Sequence, residues 1–334
     1  MKGKLILLLT GCLSLTFFAK AKVQDKQITV AKDGTGDYLT VQEAINAVPD
    51  FRKVTTTIFI RNGIYQEKLN LSPSKKLVKL VGEDVTKTIL TYNDYAAKKN
   101  RFGEEMGTSG SSSFYICGDG FSAYNITFQN TAGPVGQAVA LWISGDQTTF
   151  FNCRIKGFQD TLYTYGAGNR QYFKNCYIEG TVDFIFGAAT ALFEDCTISC
   201  KQGAHYITAS SAPDTIKYGY VFLNCRITGD ASARTVYLGR PWRPYSKAVY
   251  INCELPKLIK TEGWDNWRKQ SNEKTAYYAE YKNKGEGFNP DQRVAWSHQL
   301  SEEEVKRYTT DLIFKGWNPK ITLAETGKYI NYEH

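Results

Sequence analysis

Histidine is scarce in this 334-residue sequence, and its scarcity narrows the chemistry that the protein can perform. Only three histidines occur, His205, His298 and the C-terminal His334. None stands beside a nucleophile motif, and the small polar stretch at residues 107–113 (G-T-S-G-S-S-S) contains no G-x-S-x-G elbow. A Ser-His-Asp hydrolase needs a well-placed histidine as its general base. The sequence therefore argues against that class, and residues 107–113 are predicted to form a loop or turn.

Other missing patterns argue against further classes. The sequence has no C-x-x-C pair, so a zinc site is not expected. It also has no basic run and no DNA-binding motif, which argues against nucleic acid as a partner. A metal-dependent lyase would want three or more acids on neighbouring coils, and near Asp183 only Asp160 stands out.

The N-terminal residues have the pattern of a signal peptide. Residues 1–4 are basic, residues 5–18 are mostly apolar, and A-K-A at 19–21 is a small-x-small cleavage pattern. The apolar run is too short to span a membrane. We therefore predict a signal peptide over residues 1–21 and secretion to the periplasm or outside the cell. L-T-G-C ending at Cys12 also resembles a lipoprotein cleavage box, but the apolar run continues past Cys12 and favours the later cut.

Cleavage there would remove three lysines and no acids, lowering the formal charge from +8 to +5. A modest positive excess suits an anionic partner, and for an exported chain an acidic polysaccharide fits better than nucleic acid.

A short motif recurs through the middle of the chain. Each copy has an aromatic residue three positions before a cysteine, Asn or Asp directly before it, and Ile or Leu two positions after it. The cysteines are separated by 23, 20, 29 and 28 residues. A strand that returns at such intervals is the mark of a solenoid. An earlier copy has Tyr124 in place of cysteine, and the complete copies centre on Cys153, Cys176, Cys196, Cys225 and Cys253.

The spacing within the motif predicts a bend. The aromatic residue and the cysteine lie an odd number of positions apart, so they cannot share one face of a flat strand. A corner between them, as in a coil of a parallel β-helix, resolves the conflict. Coils stacked ~4.8 Å apart would then align like residues into interior ladders, and Asn could form a ladder at the turn. A two-sheet β-sandwich is the alternative, but five copies at coil-sized intervals favour the all-β parallel β-helix.

Seven cysteines remain after cleavage, so at least one is a free thiol. Equivalent positions on adjacent coils could be close enough for a bridge. We expect Cys176–Cys196, which flanks Asp183, if any pair is bridged. The other cysteines are expected to be buried and reduced.

The two ends of the chain differ from the repeats. Thr40 is placed as an N-cap with Glu43 at capping-box spacing, which predicts a short helix ending at Pro49 that closes the N-terminal end of the solenoid. Strands are expected at 55–60 and 77–81. Past Leu255 the chain is rich in aromatics, and Ser301 is the expected N-cap of a terminal helix that includes residues 305–308. No linker separates these parts, so residues 22–334 are predicted to form one domain, and the protein a monomer.

One acid stands inside an apolar run. Residues 180–187 (G-T-V-D-F-I-F-G) place Asp183 among apolar β-formers, where an unpaired charge is too costly to keep. Residues 157–163 (G-F-Q-D-T-L-Y) and 238–242 (L-G-R-P-W) could supply partners. Two carboxylates, an amide and a guanidinium are the parts of an acid/base or nucleophilic site. A buried salt bridge without chemistry, or a glycosidase with two carboxylates, explains the same residues.

Five motifs, in order, resemble the pectin methylesterase (pectinesterase) family. They are residues 63–67 (G-I-Y-Q-E), 137–141 (Q-A-V-A-L), 157–163, 180–187 and 238–242. With residues 33–48 and 278–283, the resemblance covers roughly residues 23–317. It implies a right-handed parallel β-helix without a cofactor. It also implies hydrolysis of the C6 methyl esters of galacturonate in pectin (methylated homogalacturonan), with release of methanol.

The resemblance also implies a role for each matching residue. Asp183 would be the nucleophile and Asp160 the general acid, then the base. Gln159 and Gln137 would donate hydrogen bonds to the oxyanion, and Arg240 would orient Asp183 and keep it ionised, since a guanidinium lowers the pKa of a nearby carboxyl.

Three aromatic residues match those with which the family holds the sugar chain: Tyr163, Phe186 and Trp242. Packing alone would also explain Tyr163 and Phe186, whereas Trp242 is expected to face the cleft. Tyr65 and Glu67 are expected to hold the first coils. Two other interpretations are a galacturonan lyase or hydrolase, and a β-helix that binds polysaccharide without catalysis. A non-catalytic protein would be expected to have lost Asp183 or Arg240, and both are present.

Overall fold

The computed structural model describes residues 26–229 and 235–320. The predicted signal peptide, with its Cys12 box, lies outside the described residues. Within the described ranges the chain forms three parallel sheets, and the seven complete coils between Thr56 and Gly239 each contribute one strand to each sheet in turn. The expected parallel β-helix is confirmed, and the β-sandwich alternative is wrong, since the paired strands run parallel.

We call the three sheets I, II and III. Sheet I contains Lys26–Val30, Thr56–Ile60, Val78–Gly82, Ser122–Tyr124, Thr148–Phe151, Arg170–Lys174, Thr190–Glu194, Tyr220–Leu223, Lys247–Ile251, Tyr277–Tyr281 and His298–Gln299. Sheet II contains Gly63–Gln66, Thr88–Tyr92, Thr127–Asn130, Arg154–Lys156, Tyr177–Gly180, Thr197–Cys200 and Arg226–Gly229. Sheet III contains Leu69–Leu71, Phe114–Ile116, Leu141–Ile143, Leu162–Thr164, Val182–Gly187, Tyr206–Ser210 and Tyr237–Gly239.

The predicted bend lies at the residue before each cysteine. We call this residue the corner residue. The sheet I strand ends directly before the corner residue, and the sheet II strand, where one follows, begins two residues after it. The corner residue itself has a left-handed backbone, with φ between 48° and 54°. Asn and Asp tolerate this conformation better than other side chains. Asn152 also donates to the Asn125 side chain of the previous coil at 2.8 Å, so part of the expected Asn ladder exists. In the five complete copies the corner residue is Asn152, Asn175, Asp195, Asn224 and Asn252.

Like residues stack inside the helix. The aromatic residues of successive motifs lie face to face, with centroids 4.3–4.9 Å apart and planes within 10° of parallel. Each buried aromatic side chain stabilises the fold by roughly 1.5–3 kcal/mol through burial alone. The ladder consists of Phe150, Phe173, Phe193, Phe222 and Tyr250.

The expected Cys176–Cys196 disulfide is wrong for this structure, in which both residues are free thiols. The Cys176 thiol donates to the carbonyl oxygens of Phe150 and Lys174 at 3.5 and 3.4 Å. The Cys196 thiol likewise donates to Phe173 and Glu194, both at 3.4 Å. The ladder therefore aims each sulfur at the backbone of its own and the preceding coil, and the buried thiols behave as small apolar residues with a weak donor.

Helix α1 (Val41–Ala47) packs against the first coils, as predicted, with Thr40 as its N-cap. The Glu43 backbone N–H donates to the Thr40 hydroxyl oxygen, and Val41, Ala44 and Ile45 are buried. The Glu67 carboxylate accepts from the backbone N–H groups of Val41 and Gln42, both at 2.9 Å. Glu67 therefore caps the helix from the first coil, which is the structural role expected for it.

Two local predictions need correction. Residues Gly107–Gly110, where a loop or turn was expected, form a short helix, α2, and the Ser111 hydroxyl donates to the Thr108 carbonyl at its end. Ser301 does cap a helix, with a complete capping box to Glu304, but this helix, α3, covers only Glu302–Val305. A separate helix, α4 (Thr310–Phe314), has Thr309 as its N-cap. Short 3₁₀ turns occupy Gln270–Lys274 and Pro290–Gln292.

The outer face of sheet I is covered by the C-terminal segment. Ile313 and Phe314 of α4 are buried against Tyr172 and Leu192 of that sheet. The outer face of sheet III carries an aromatic cluster, in which buried Tyr163 and Phe186 pack with half-buried Trp142 and Trp242. No helix in the described part of the chain is long and apolar enough to cross a membrane.

Candidate active site

Asp183 reaches the outer face of sheet III because its strand is irregular. Along Val182–Gly187, the register against Tyr206–Ser210 shifts between Val182 and Ile185, and Asp183 adopts φ +50°. Phe184 and Ile185 are both fully buried in the interior as a result. A Cβ on Gly180 would lie 2.2 Å from the Phe184 Cβ, so only glycine fits where the bulge folds back.

Arg240 holds the Asp183 carboxylate through both oxygens. Its Nε and one terminal nitrogen donate to the two oxygens at 2.9 and 2.6 Å, a bidentate pair. The Arg240 side chain is only 20% exposed and the Asp183 side chain only 9%. Burial raises the pKa of Asp183, the Arg240 hydrogen bonds and charge oppose this rise, and Asp265 adds to it. The lowering that we expected from Arg240 is present, but burial outweighs it.

Asp160 stands on the preceding coil, also in a left-handed conformation (φ +61°). Its backbone N–H donates to the Val182 carbonyl at 3.0 Å, which ties the two acidic segments together. Burial, and then the Asp183 charge, raise the pKa of Asp160 well above its usual range, and Arg240 opposes them. Asp183 has its own guanidinium, whereas no hydrogen bond from a described residue reaches the Asp160 carboxyl. The two environments thus push the two pKa values apart, which is how a site assigns an acid and an anion.

Gln137 and Gln159 lie side by side. The two residues form an isolated parallel bridge between adjacent coils, and both are half-buried. Their backbone carbonyls accept hydrogen bonds from Ala96 and Ala138. Within the described residues neither side-chain amide has a hydrogen-bond partner, so both remain available as donors.

The acids and amides share one cleft with the aromatic residues. All eight residues expected from the sequence line this cleft, whose volume is about 490 Å³, a size common for ligand sites. Tyr163 stacks on Phe186 with centroids 4.1 Å apart, and Trp242 lies 6.2 and 5.9 Å from those rings. Tyr163 and Phe186 therefore pack on each other and also present their surfaces to the cleft.

Four further residues line the cleft that the sequence did not single out for it: Thr108, Ser109, Ala209 and Trp267. Thr108 and Ser109 belong to α2, and the sequence offered no sign that this turn lies over the site. Trp267 was visible only as one of many aromatics after the last repeat. Among the described residues, no group of three or more His, Cys, Asp and Glu side chains is arranged to hold a metal ion.

The sequence as a whole matches known proteins. Residues 27–316 match the protein family described as Pectinesterase. Pectinesterase 31 of Arabidopsis thaliana is 40% identical over 289 residues, which cover 85% of this chain and 90% of that protein. Probable pectinesterase/pectinesterase inhibitor 13 of the same plant is 38% identical over 303 residues. That match covers 86% of this chain, which spans about half the length of the plant protein.

Solved structures agree with these matches. The pectin methylesterase from carrot has a TM-score of 0.81 at 35% identity, with 91% of this chain and 98% of that chain covered. A pectin methylesterase in complex with a hexasaccharide has a TM-score of 0.78 at 28% identity, covering 89% and 99% of the two chains. This likeness confirms the right-handed parallel β-helix. The chain therefore belongs to the pectinesterase family of carboxylic ester hydrolases, and its expected activity, demethylation of pectin, is confirmed.

Proposed function

We propose that this enzyme demethylates pectin through a covalent acyl-enzyme, with Asp183 as nucleophile and Asp160 as acid and base. The observation that carries the proposal is the contrast between the two carboxyls that share the cleft. Asp183 is held by a bidentate guanidinium, which favours its ionised form. Asp160 has no such partner among the described residues, and its pKa is raised well above the usual range, which favours its protonated form.

In the first step, an Asp183 carboxylate oxygen attacks the C6 carbonyl carbon of a galacturonate methyl ester. The carbonyl oxygen becomes an oxyanion, and the amide N–H groups of Gln137 and Gln159 donate to it. A positioned oxyanion donor is worth about 10²–10³ in rate. The C6–O bond to the methoxy group then breaks, and Asp160 gives its proton to that oxygen. Methanol leaves, and the C6 acyl group stays on Asp183 as an anhydride.

In the second step, Asp160 acts in reverse. As a carboxylate it takes a proton from water, whose oxygen attacks the same C6 carbonyl carbon. The bond from C6 to Asp183 breaks, which frees a galacturonic acid carboxyl and restores the Asp183 carboxylate, while Asp160 has regained its proton. The new carboxyl then loses its remaining proton to water. Arg240 remains paired with Asp183 and stabilises it as a leaving group. No group outside these residues and water is needed to balance either step.

The aromatic surface supports a sugar chain as the ligand. Tyr163, Phe186 and Trp242 form one wall of the cleft, beside the two acids. The solved pectin methylesterase bound to a hexasaccharide is a protein of the same fold. We infer that this wall holds the galacturonate ring next to the one being demethylated, and that the substrate is methylated homogalacturonan.

We also propose, from the sequence, that residues 1–21 are removed on secretion. Residues 22–334 then act as a single-domain monomer outside the cytoplasm.

The test is methanol release from highly methylated pectin by wild type, Asp183→Asn and Asp195→Asn. Asp195 is a matched control, because it has the same left-handed backbone and Asn naturally occupies this position in other coils. We expect methanol from the wild type and Asp195→Asn and almost none from folded Asp183→Asn, with folding checked by circular dichroism. Full activity in Asp183→Asn would overturn the assignment of the nucleophile.

A further inference from the structure

Arg240 makes a contact that the proposed mechanism does not use. Its guanidinium carbon lies 3.8 Å from the ring centroid of Tyr206 and 3.8 Å from that of Trp267. Both distances are well inside the range of about 6 Å in which a cation is attracted to a ring face. We call these two side chains the aromatic clamp. Resting on the proposed role of Asp183, we propose that the aromatic clamp fixes the Arg240 guanidinium and thereby aims the Asp183 nucleophile.

The backbone around Trp267 is shaped for this contact. Trp267 and Arg268 are consecutive residues with positive φ, 59° and 55°, a conformation that non-glycine residues keep only where their surroundings enforce it. The Asp265 carboxylate accepts from the Trp267 backbone N–H at 2.7 Å and closes the turn. The Asp265 N–H in turn donates to the Gly239 carbonyl at 3.2 Å. The turn is therefore anchored to the residue that precedes Arg240.

Tyr206 is held from the other direction, within sheet III. It pairs with Val182 on one side and Tyr237 on the other. Its ring stacks on that of Tyr237 with centroids 5.4 Å apart and planes 8° from parallel. Because Val182 directly precedes Asp183, the strand bearing the nucleophile also sets the position of the Tyr206 ring.

The clamp acts on the geometry of the nucleophile. The guanidinium is rigid and planar, so it can donate to both Asp183 oxygens only in one orientation. Side chains that pack against the two faces of the guanidinium plane fix that orientation. Without rings beside it, Arg240 could still pair with Asp183 but in several arrangements. A misaligned nucleophile loses rate in the chemical step even when substrate binding is unchanged. Trp267 lines the cleft whereas Tyr206 does not, so Tyr206 is the member of the clamp whose replacement leaves the cleft lining unchanged.

The experiment replaces Tyr206 and separates kcat from KM on methylated oligogalacturonates. We expect Tyr206→Leu to lower kcat about tenfold with KM within twofold, the loss of one partly desolvated cation–π contact. Tyr206→Phe should keep kcat close to the wild type, because the ring remains. Tyr177→Leu is the matched control, since Tyr177 faces a guanidinium too, with Arg154 5.0 Å from its ring, but lies on sheet II.

A second series keeps the ring in place in case Tyr206→Leu does not fold. Phenylalanine with one, two or three ring fluorines at position 206 weakens the ring's attraction for a cation at nearly constant shape. We expect kcat to fall stepwise with each fluorine. Unchanged kcat across the fluorinated series, or equal losses in Tyr206→Leu and Tyr177→Leu, would overturn the proposal. These outcomes are distinct from failure of the proposed function, which shows as full activity in Asp183→Asn.

Discussion

Removing Arg240 tests how much the buried pair with Asp183 stabilises the fold. In Arg240→Met the apolar stem remains, but the Asp183 carboxylate loses both of its hydrogen-bond donors. Breaking a buried ion pair by removing one partner costs about 3–5 kcal/mol. Because the Arg240 side chain is 20% exposed, we expect the lower end, about 3 kcal/mol. For a chain of this size about 2 °C in Tm corresponds to 1 kcal/mol, so Tm should fall by roughly 6 °C.

The cost should depend on pH in one direction. In Arg240→Met burial acts on Asp183 unopposed, so its pKa in the folded state rises further above the unfolded value. A carboxyl with a raised folded pKa leaves stability intact at low pH, where it is protonated, and costs stability as pH rises through that pKa. The deficit of Arg240→Met should therefore be larger at pH 8 than at pH 5. Asp160 responds in the same direction, because Arg240 also lowers its pKa.

A double-mutant cycle separates the pair from general damage. Urea denaturation of Arg240→Met, Asp183→Asn and the combined variant gives the three free energies of unfolding. The combined variant leaves neither buried charge, so it should be more stable than the sum of the single losses predicts, by about 2 kcal/mol. It should also show a smaller pH dependence than Arg240→Met. Additive losses, or an equal deficit of Arg240→Met at pH 5 and pH 8, would refute a strongly coupled buried pair.

Three other outcomes follow from the same geometry. Asp160→Asn should abolish turnover yet raise the free energy of unfolding at pH 8 by about 1 kcal/mol, with less gain at pH 5, because burial and the Asp183 charge raise the pKa of Asp160 and a carboxyl with a raised folded pKa costs stability as pH rises; an unfolding scan that shows lower stability at pH 8 would contradict this. Gln137→Ala and Gln159→Ala should each lower kcat about 10²–10³-fold, and a change confined to KM would contradict an oxyanion role. Reducing agent should leave Tm unchanged, since the described cysteines are thiols; a lower Tm in reductant would indicate a disulfide.

The repeat made most of the fold predictable. The repeated motif predicts two features. Its aromatic residue and cysteine predict interior ladders, and the odd spacing between them predicts a corner. Both features are present in the structure. The strands predicted at 55–60 and 77–81 occur at Thr56–Ile60 and Val78–Gly82, so each begins one residue later than predicted. At the second, Leu77 takes φ +54° and turns the chain just before the strand. The sequence does not predict this turn, because leucine rarely adopts a left-handed backbone.

The candidate site was predictable as a set of residues but not as a shape. The sequence motifs identified the two acids, the two amides and Arg240 as members of one site, and in the structure all five line one cleft. The motifs did not reveal the bulge that turns Asp183 outward, because it depends on a register shift against a strand more than twenty residues later. Trp267 and the α2 turn were missed for the same reason, since their contacts with the cleft are made by the fold rather than by local pattern.

The backbone and the chemistry select the same residue at the two acidic positions. Asp160 and Asp183 both have positive φ, a region that Asp and Asn enter more readily than other side chains with a Cβ. The corners of the coils use the same conformation with Asn or Asp and without chemistry. A short carboxylate is therefore a low-cost residue at such a position, whereas Glu, which could supply the same acid, would fit it poorly. This also explains why Asn is the informative replacement, because it removes the charge of Asp183 while keeping the backbone that places it.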